Sequence, residues 1–105
     1  MAKDTYLEKK LKEFKSRLNR NIPVKKMIFF GSRAIGKPHK YSDIDLIIVS
    51  DKFKGKISYE RSLGFYKYWD IDYPVDFLCY TPEEFKKLSR QITIVRDAVR
   101  KGIVI

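Results

Sequence analysis

The 105-residue sequence contains one cysteine, one histidine and no long uncharged apolar segment. One cysteine excludes an intramolecular disulfide and a zinc site built from cysteines. The longest apolar runs, residues 27–30 and 46–49, fall far short of the roughly 20 residues that cross a membrane. The charged first twenty residues also lack the apolar core of a secretory signal. The sequence therefore predicts a cytoplasmic protein that does not associate with membranes, built as one domain over residues 1–105.

Acidic residues are scarce relative to basic ones. The sequence has 13 Asp and Glu against 23 Lys and Arg, which gives a formal net charge of +10. Such a chain attracts polyanions, whether nucleic acid, nucleotides or an acidic protein. However, the excess is mostly lysine and is spread along the chain, as on an ordinary solvated surface. We interpret Lys9, Lys10, Lys12 and Lys15 in this way, as the solvated face of a helix, and direct nucleic-acid binding stays open.

Hydrophobic periodicity predicts a small α/β (α+β) domain, with a mixed sheet of three or four strands flanked by helices. The clearest local signal is Thr81-Pro82-Glu83-Glu84, which is typical of a capped helix start. In chain order the predicted elements are a helix over 5–20, a strand over 24–30, a turn-rich segment over 31–43 with a short helical turn near Ser32, a strand over 43–50, an exposed loop over 51–56, a helix over 58–69, a strand over 73–80, a helix over 81–102 and a strand over 103–105.

Three aspartates interrupt the apolar strands. Asp43 and Asp45 begin one strand, and their spacing of two places both side chains on one face of the sheet. Asp76 interrupts the next strand, where Val75 and Phe77 point to the opposite face. Neighbouring carboxylates repel one another, and a hard divalent cation such as Mg²⁺ relieves that repulsion. The alternative is that Asp43 caps a strand and Asp76 lies in water on an edge strand.

A glycine turn follows the first apolar strand. In Phe30-Gly31-Ser32, glycine lets the backbone approach a ligand closely, and the following amides and serine hydroxyl can hold phosphate oxygens. Arg33 adds a positive charge beside them. A Gly-Ser pair alone is usually a plain turn, but here ten residues separate Ser32 from the carboxylate pair. This distance makes the pattern specific.

The pattern Phe30-Gly31-Ser32, ten residues, then Asp43-Ile44-Asp45-Leu46 resembles the signature of the nucleotidyltransferase superfamily related to DNA polymerase β. Asp76 matches the third carboxylate of that superfamily. The sequence is most similar to the minimal nucleotidyltransferases, many of which act as the antitoxin partner of a small helical HEPN protein. The resemblance spans residues 24 to 105. Ile35 departs from it, since many relatives carry a basic or polar residue there.

The resemblance implies a polymerase β palm-like fold and specific roles for the site residues. Gly31, Ser32 and Arg33 would hold the triphosphate of a nucleotide. Asp43, Asp45 and Asp76 would be catalytic and would bind two Mg²⁺ ions. The implied reaction transfers a nucleoside monophosphate, AMP from ATP, to a hydroxyl group and releases pyrophosphate.

The resemblance also implies an enzyme, a protein adenylyltransferase whose acceptor is a HEPN-type partner in trans. Two alternatives stay open, namely transfer to a small molecule or an RNA end, and a nucleotide-binding partner protein without catalysis. Homo-oligomerisation also stays open. Three further features receive ordinary interpretations: His39 is a surface loop residue, Cys79 is a buried small hydrophobe, and the aromatic residues belong to the core or an interface. The aromatic group comprises Tyr59, Phe65, Tyr66, Tyr68, Trp69 and Tyr73.

Overall fold

A computed structural model describes residues 5–36 and 43–105, and these residues contain four helices and four strands. The predicted loop position of His39 lies outside the described residues. In chain order the elements are α1 (Thr5–Asn19), β1 (Lys26–Phe30), β2 (Ile44–Val49), α2 (Ser58–Arg61), β3 (Val75–Tyr80), α3 (Pro82–Ser89), α4 (Ile94–Lys101) and β4 (Ile103–Val104), with 3₁₀ turns at Asp51–Phe53 and Phe65–Tyr68.

The four strands form one mixed sheet in the order β3-β2-β1-β4. Strand β1 pairs antiparallel with both β2 and β4, whereas β2 and β3 are parallel. A parallel pair needs a long crossover, which the chain between β2 and β3 provides. The predicted α/β (α+β) class with a small mixed sheet is confirmed.

Helices cover both faces of this sheet. Along β1, Met27 and Phe29 pack with the buried face of α1. Ile28 and Phe30 point to the opposite face, where they pack with α4. Residues 46–49 of β2 are buried on both faces of the sheet, as is common for a continuous apolar run.

The helix predicted over 81–102 is wrong, because the chain forms two helices there. Thr93 separates them: its hydroxyl donates to the Leu88 carbonyl at 2.7 Å and accepts from the Arg96 amide at 3.2 Å. The same side chain therefore closes the end of α3 and caps α4. Ile92, within the span of the predicted helix, is 94% exposed in the connection between α3 and α4.

The helix predicted over 58–69 is also interrupted. Helix α2 ends at Arg61, and Gly64 adopts a positive φ of 85° before the chain resumes as a 3₁₀ turn. A residue in the left-handed region cannot continue a right-handed helix. The break divides the aromatic group, since Phe65 is buried while Tyr59 and Tyr66 are largely exposed.

Two surface interpretations need correction. Segment 51–56 is not wholly exposed, because Phe53 is buried in the core and its ring lies 6.1 Å from that of Phe65. Two of the α1 lysines also bind other parts of the chain. Lys10 donates to Asp70 at 3.0 Å, and Lys15 donates to the Ile105 carbonyl at 2.8 Å, so both tie α1 to later parts of the chain.

Among the helices of the described residues, none has the length and apolar character that crossing a bilayer requires.

Candidate functional site

The parallel register of β2 and β3 sets two of the predicted aspartates opposite each other. Asp45 is the register partner of Asp76. Both side chains point to the face that carries α3 and α4, because Ile47 and Leu78, two residues further along each strand, pack there. Asp43 lies immediately before β2 and alternates onto the same face as Asp45. The three aspartates therefore lie on one face at the same end of the sheet.

Asp45 is the most enclosed of these aspartates. It is half-buried, whereas Asp43 and Asp76 are exposed. Burial raises the pKa of the Asp45 carboxyl, and the negative charges of Asp76 and Asp43 raise that pKa further. In the part of the chain that the structure describes, no salt bridge brings a cation to Asp45. The fold thus holds a carboxylate in surroundings that disfavour its own charge.

The donor chemistry of the aspartates fits a hard divalent cation. Oxygen ligands from a few carboxylates are what Mg²⁺ takes in proteins, and such an ion would offset the repulsion that raises the pKa of Asp45. The described residues nevertheless contain no group of three or more His, Cys, Asp or Glu side chains already arranged to hold a metal ion. The aspartates are adjacent but are not assembled as a complete set of three ligands.

The glycine turn lies directly against the Asp45 carboxylate. Gly31 follows β1 with φ of 88°, and a Cβ atom at this position would collide with the carboxylate of Asp45. The amides of Ala34 and Ile35 both donate to the Gly31 carbonyl, at 3.1 and 3.3 Å. The predicted helical turn is therefore present from Gly31 onward. Glycine is required both by the backbone conformation and by the close approach to Asp45.

Arg33, in this same turn, contacts the start of β3. Its guanidinium carbon lies 3.9 Å from the centre of the Tyr73 ring, which is the distance of a cation–π stack. Tyr73 stands three residues before Asp76. The stack therefore connects the turn predicted to hold phosphate with the strand that carries the third aspartate.

A cavity of about 270 Å³ opens beside Asp45. Apolar side chains line most of it, including Phe30, Ile35 and Ile94, and Gly31 forms part of its wall. Two charged residues of α4, Asp97 and Lys101, also line it. The cavity thus provides space for part of a substrate next to the carboxylates.

Sequence reasoning missed the contribution of α4 to this cavity. Asp97 and Lys101 are four residues apart, as are Ile94 and Ala98, so all four share one side of the helix. A single continuous helix over 81–102, as the periodicity predicts, gives no reason to place this side of α4 beside the aspartates. Recognising Thr93 as an N-cap would have given the correct helix and its phase.

A larger cavity, of about 580 Å³, lies at the other end of β3. It is lined by Arg61, Glu84 and Cys79 among others and includes none of the three aspartates. Burial raises the pKa of the Cys79 thiol to about 12, so this thiol is protonated at neutral pH. Cys79 was predicted to be buried; it is only partly buried, but its interpretation as a small hydrophobe is consistent with this environment.

The family described as nucleotidyltransferase domain matches residues 7–101 of the chain. The chain is 32% identical over 91 residues to a Haemophilus influenzae protein named "Probable protein adenylyltransferase MntA", covering 85% of this chain and 80% of that one. In its fold it is similar to a crystal structure from Sulfolobus solfataricus that bears the name nucleotidyltransferase, with a TM-score of 0.57 and 20% identity, covering 98% of this chain and 87% of the other.

Proposed function

Because the chain belongs to the nucleotidyltransferase-domain family, we propose that it transfers AMP from ATP to a hydroxyl group of a partner protein. The expectation of an enzyme of the nucleotidyltransferase class is confirmed by the family and by the relative named a protein adenylyltransferase. The donor, the metal and the acceptor are the proposal. The observation that carries it is the arrangement of Gly31 against Asp45, with Asp45 in register with Asp76.

The glycine turn forms the donor half of the proposed site. Gly31 permits the backbone to come close to the triphosphate, because no side chain stands between them. Ser32 supplies a hydroxyl and Arg33 a positive charge that hold phosphate oxygens. Such contacts would leave the α-phosphorus beside Asp45.

Asp43, Asp45 and Asp76 would hold two Mg²⁺ ions. When bound, such ions stabilise negative charge on the attacking and leaving oxygens of an in-line displacement. The donor chemistry supports this assignment, since two adjacent carboxylates with a raised pKa at Asp45 gain from a cation. Positioning and charge thus account for most of the proposed catalysis.

Asp76 faces the acceptor in this mechanism. Its carboxylate is exposed, whereas that of Asp45 is half-buried, so Asp76 is open to an incoming hydroxyl group. It accepts a hydrogen bond from that hydroxyl and takes its proton. The acceptor oxygen forms a bond to the α-phosphorus, the bond from that phosphorus to the bridging oxygen breaks, and pyrophosphate leaves.

We propose a HEPN-type protein as the acceptor, which makes the chain the antitoxin of a pair. The relative named a protein adenylyltransferase supports a protein acceptor. The basic net charge and the exposed rings of Tyr59 and Tyr66 provide a surface on which a partner can dock. A partner that supplies its own hydroxyl fits a chain with few groups to grip a small acceptor.

Intact-mass measurement of the purified pair with Mg²⁺ and ATP tests the proposal. The partner should gain the mass of one or more AMP groups, and the Asp43→Ala, Asp45→Ala double variant should add none. Asp51→Asn, a change at the other end of β2, serves as the control and should act like the wild type. Label on RNA or on a small alcohol, with the partner unmodified, would replace the protein acceptor. Tight binding without any label would favour a non-catalytic partner protein.

A further inference from the structure

Tyr73 lies where three parts of the proposed site come together, namely the glycine turn, strand β2 and strand β3. Its ring stacks on the Arg33 guanidinium at 3.9 Å. The next residue, Pro74, accepts a hydrogen bond from the Ile44 amide at 2.8 Å, and Ile44 lies between Asp43 and Asp45. The segment that begins with Tyr73 therefore contacts both the glycine turn and the carboxylate strand.

The backbone of Tyr73 is itself anchored to the core. Its carbonyl accepts a hydrogen bond from the Trp69 indole at 2.9 Å. The Trp69 ring packs edge-on against Phe14 of α1, with centroids 5.0 Å apart, and against Phe77 of β3 at 5.9 Å. A chain of defined contacts thus runs from the core to the ring of Tyr73.

We propose that Tyr73 is a positioning residue that holds Arg33 for the triphosphate. Arginine loses side-chain freedom when it binds, and a stacked ring reduces that loss by orienting the guanidinium beforehand. Tyr73 is 40% exposed, so the stack lies at the mouth of the site rather than in the core. This inference rests on the proposed function, because it takes Arg33 to bind phosphate.

The ring face, rather than the hydroxyl group, should carry this effect. Tyr73→Leu keeps an apolar side chain but removes the ring, and Tyr73→Phe keeps the ring. We expect Tyr73→Leu to weaken ATP binding about two- to five-fold, the size of an exposed cation–π contact. Tyr73→Phe should bind as the wild type does, and KM for ATP should rise in Tyr73→Leu with kcat nearly unchanged.

Calorimetric titration of wild type, Tyr73→Leu, Arg33→Ala and the double variant separates positioning from a direct contact. Tyr73→Leu should have no further effect once Arg33 is alanine. Inorganic triphosphate should show the same two- to five-fold loss as ATP, because Arg33 acts on phosphate. Tyr6→Leu, the same change at an exposed ring of α1, is the control, and thermal unfolding verifies that each variant is folded.

Three outcomes overturn the inference. Unchanged ATP affinity in Tyr73→Leu, while Arg33→Ala binds weakly, would show that the stack does not matter. An equal loss in the Arg33→Ala background, or a loss seen with ATP but not with inorganic triphosphate, would give Tyr73 a role of its own. Failure of the wild type to bind either ligand would instead overturn the proposed function, and this inference with it.

Discussion

The carboxylates at the two ends of β3 have opposite electrostatic surroundings. At its start, Asp76 faces Asp45, and burial together with neighbouring carboxylates raises the pKa of Asp45. Just beyond its end, the Arg61 guanidinium beside Glu84 lowers the pKa of that carboxyl. One strand thus connects a cluster of like charges with a matched ion pair.

The matched pair at the end of β3 is fully connected. Arg61 forms a bidentate salt bridge with Glu84. Arg61 also donates to the backbone carbonyls of Cys79 and Lys56, at 3.0 and 2.9 Å. Glu84 in turn accepts from the Thr81 amide and completes the capping box of α3. These contacts satisfy the charges within the protein, which indicates a structural role. Among the residues that the structure describes, no salt bridge matches Asp43, Asp45 or Asp76 in this way, which is the arrangement expected of groups that meet an external cation or ligand.

The sharpest test of this comparison removes one charge from the aspartate cluster. Asp45→Asn should abolish nucleotidyl transfer, because the carboxylate proposed to hold metal is lost, while the protein remains folded. Addition of Mg²⁺ with ATP should raise the Tm of the wild type and leave that of Asp45→Asn nearly unchanged. Intact mass of the partner and differential scanning calorimetry measure the two effects. An unfolded Asp45→Asn protein would mean that this carboxylate is structural.

A second test moves the Asp45 carboxylate without changing its charge. Gly31→Ala adds a Cβ that collides with this carboxylate, so Asp45 must rotate, and transfer should fall by orders of magnitude. Gly55 is the matched control, because its φ of 80° is similar but no atom lies within 4 Å of a new Cβ. Both alanine variants should lose about 1–2 kcal/mol of stability from left-handed backbone strain. Transfer that is equally impaired in both would assign the defect to strain alone.

The matched pair should respond to charge removal in the opposite way. Glu84→Gln leaves the Arg61 guanidinium, whose side chain is only 10% exposed, without its negative partner. We expect a loss of about 1–2 kcal/mol in the free energy of unfolding, as for a hydrogen bond to a charged group. Glu83→Gln is the control, since this exposed residue lies in the same first turn of α3. Chemical denaturation of the two variants gives the comparison, and equal losses would show that the ion pair contributes nothing beyond helix charge.

The sequence was most informative where a residue type had to meet a steric or chemical demand at short range. The alternation of β2 predicted that Asp43 and Asp45 share one face, because a strand has a fixed period of two. That Asp76 shares this face follows from the parallel register of β2 and β3. Gly31 was identified because the chain had to turn sharply at the end of an apolar strand. The capping box at Thr81 was also predicted correctly.

The remaining errors concern contacts between residues far apart in the sequence. The break at Thr93 depends on a hydrogen bond to Leu88 that periodicity does not reveal. The stack between Arg33 and Tyr73 joins residues forty positions apart, and nothing local in either segment indicates it. The local sequence around Lys10 indicates a solvated residue, because its partner Asp70 lies sixty residues further along the chain. Pairings of this kind follow from topology rather than from local pattern.

The smallest expected effect concerns the pH dependence of stability, and its sign distinguishes the two ends of β3. The folded state raises the pKa of Asp45, so it takes up a proton at Asp45 before the unfolded chain does as pH falls. Asp45→Asn should therefore be more stable than the wild type at pH 7. That advantage should shrink as pH falls through the folded-state pKa toward the ordinary aspartate value of about 3.9.

For Glu84 the pKa is lowered, so its stabilisation is present above the ordinary glutamate value of about 4.3 and is lost as pH falls through the folded-state pKa. At pH 7 the Tm of Asp45→Asn should therefore lie above that of the wild type, and the Tm of Glu84→Gln should lie below it. Both differences should become smaller as the pH falls to 3. An Asp45→Asn protein that is less stable than the wild type at pH 7 would show that the Asp45 carboxylate is matched by a contact like that of Glu84, and the contrast between the two ends of the strand would no longer hold.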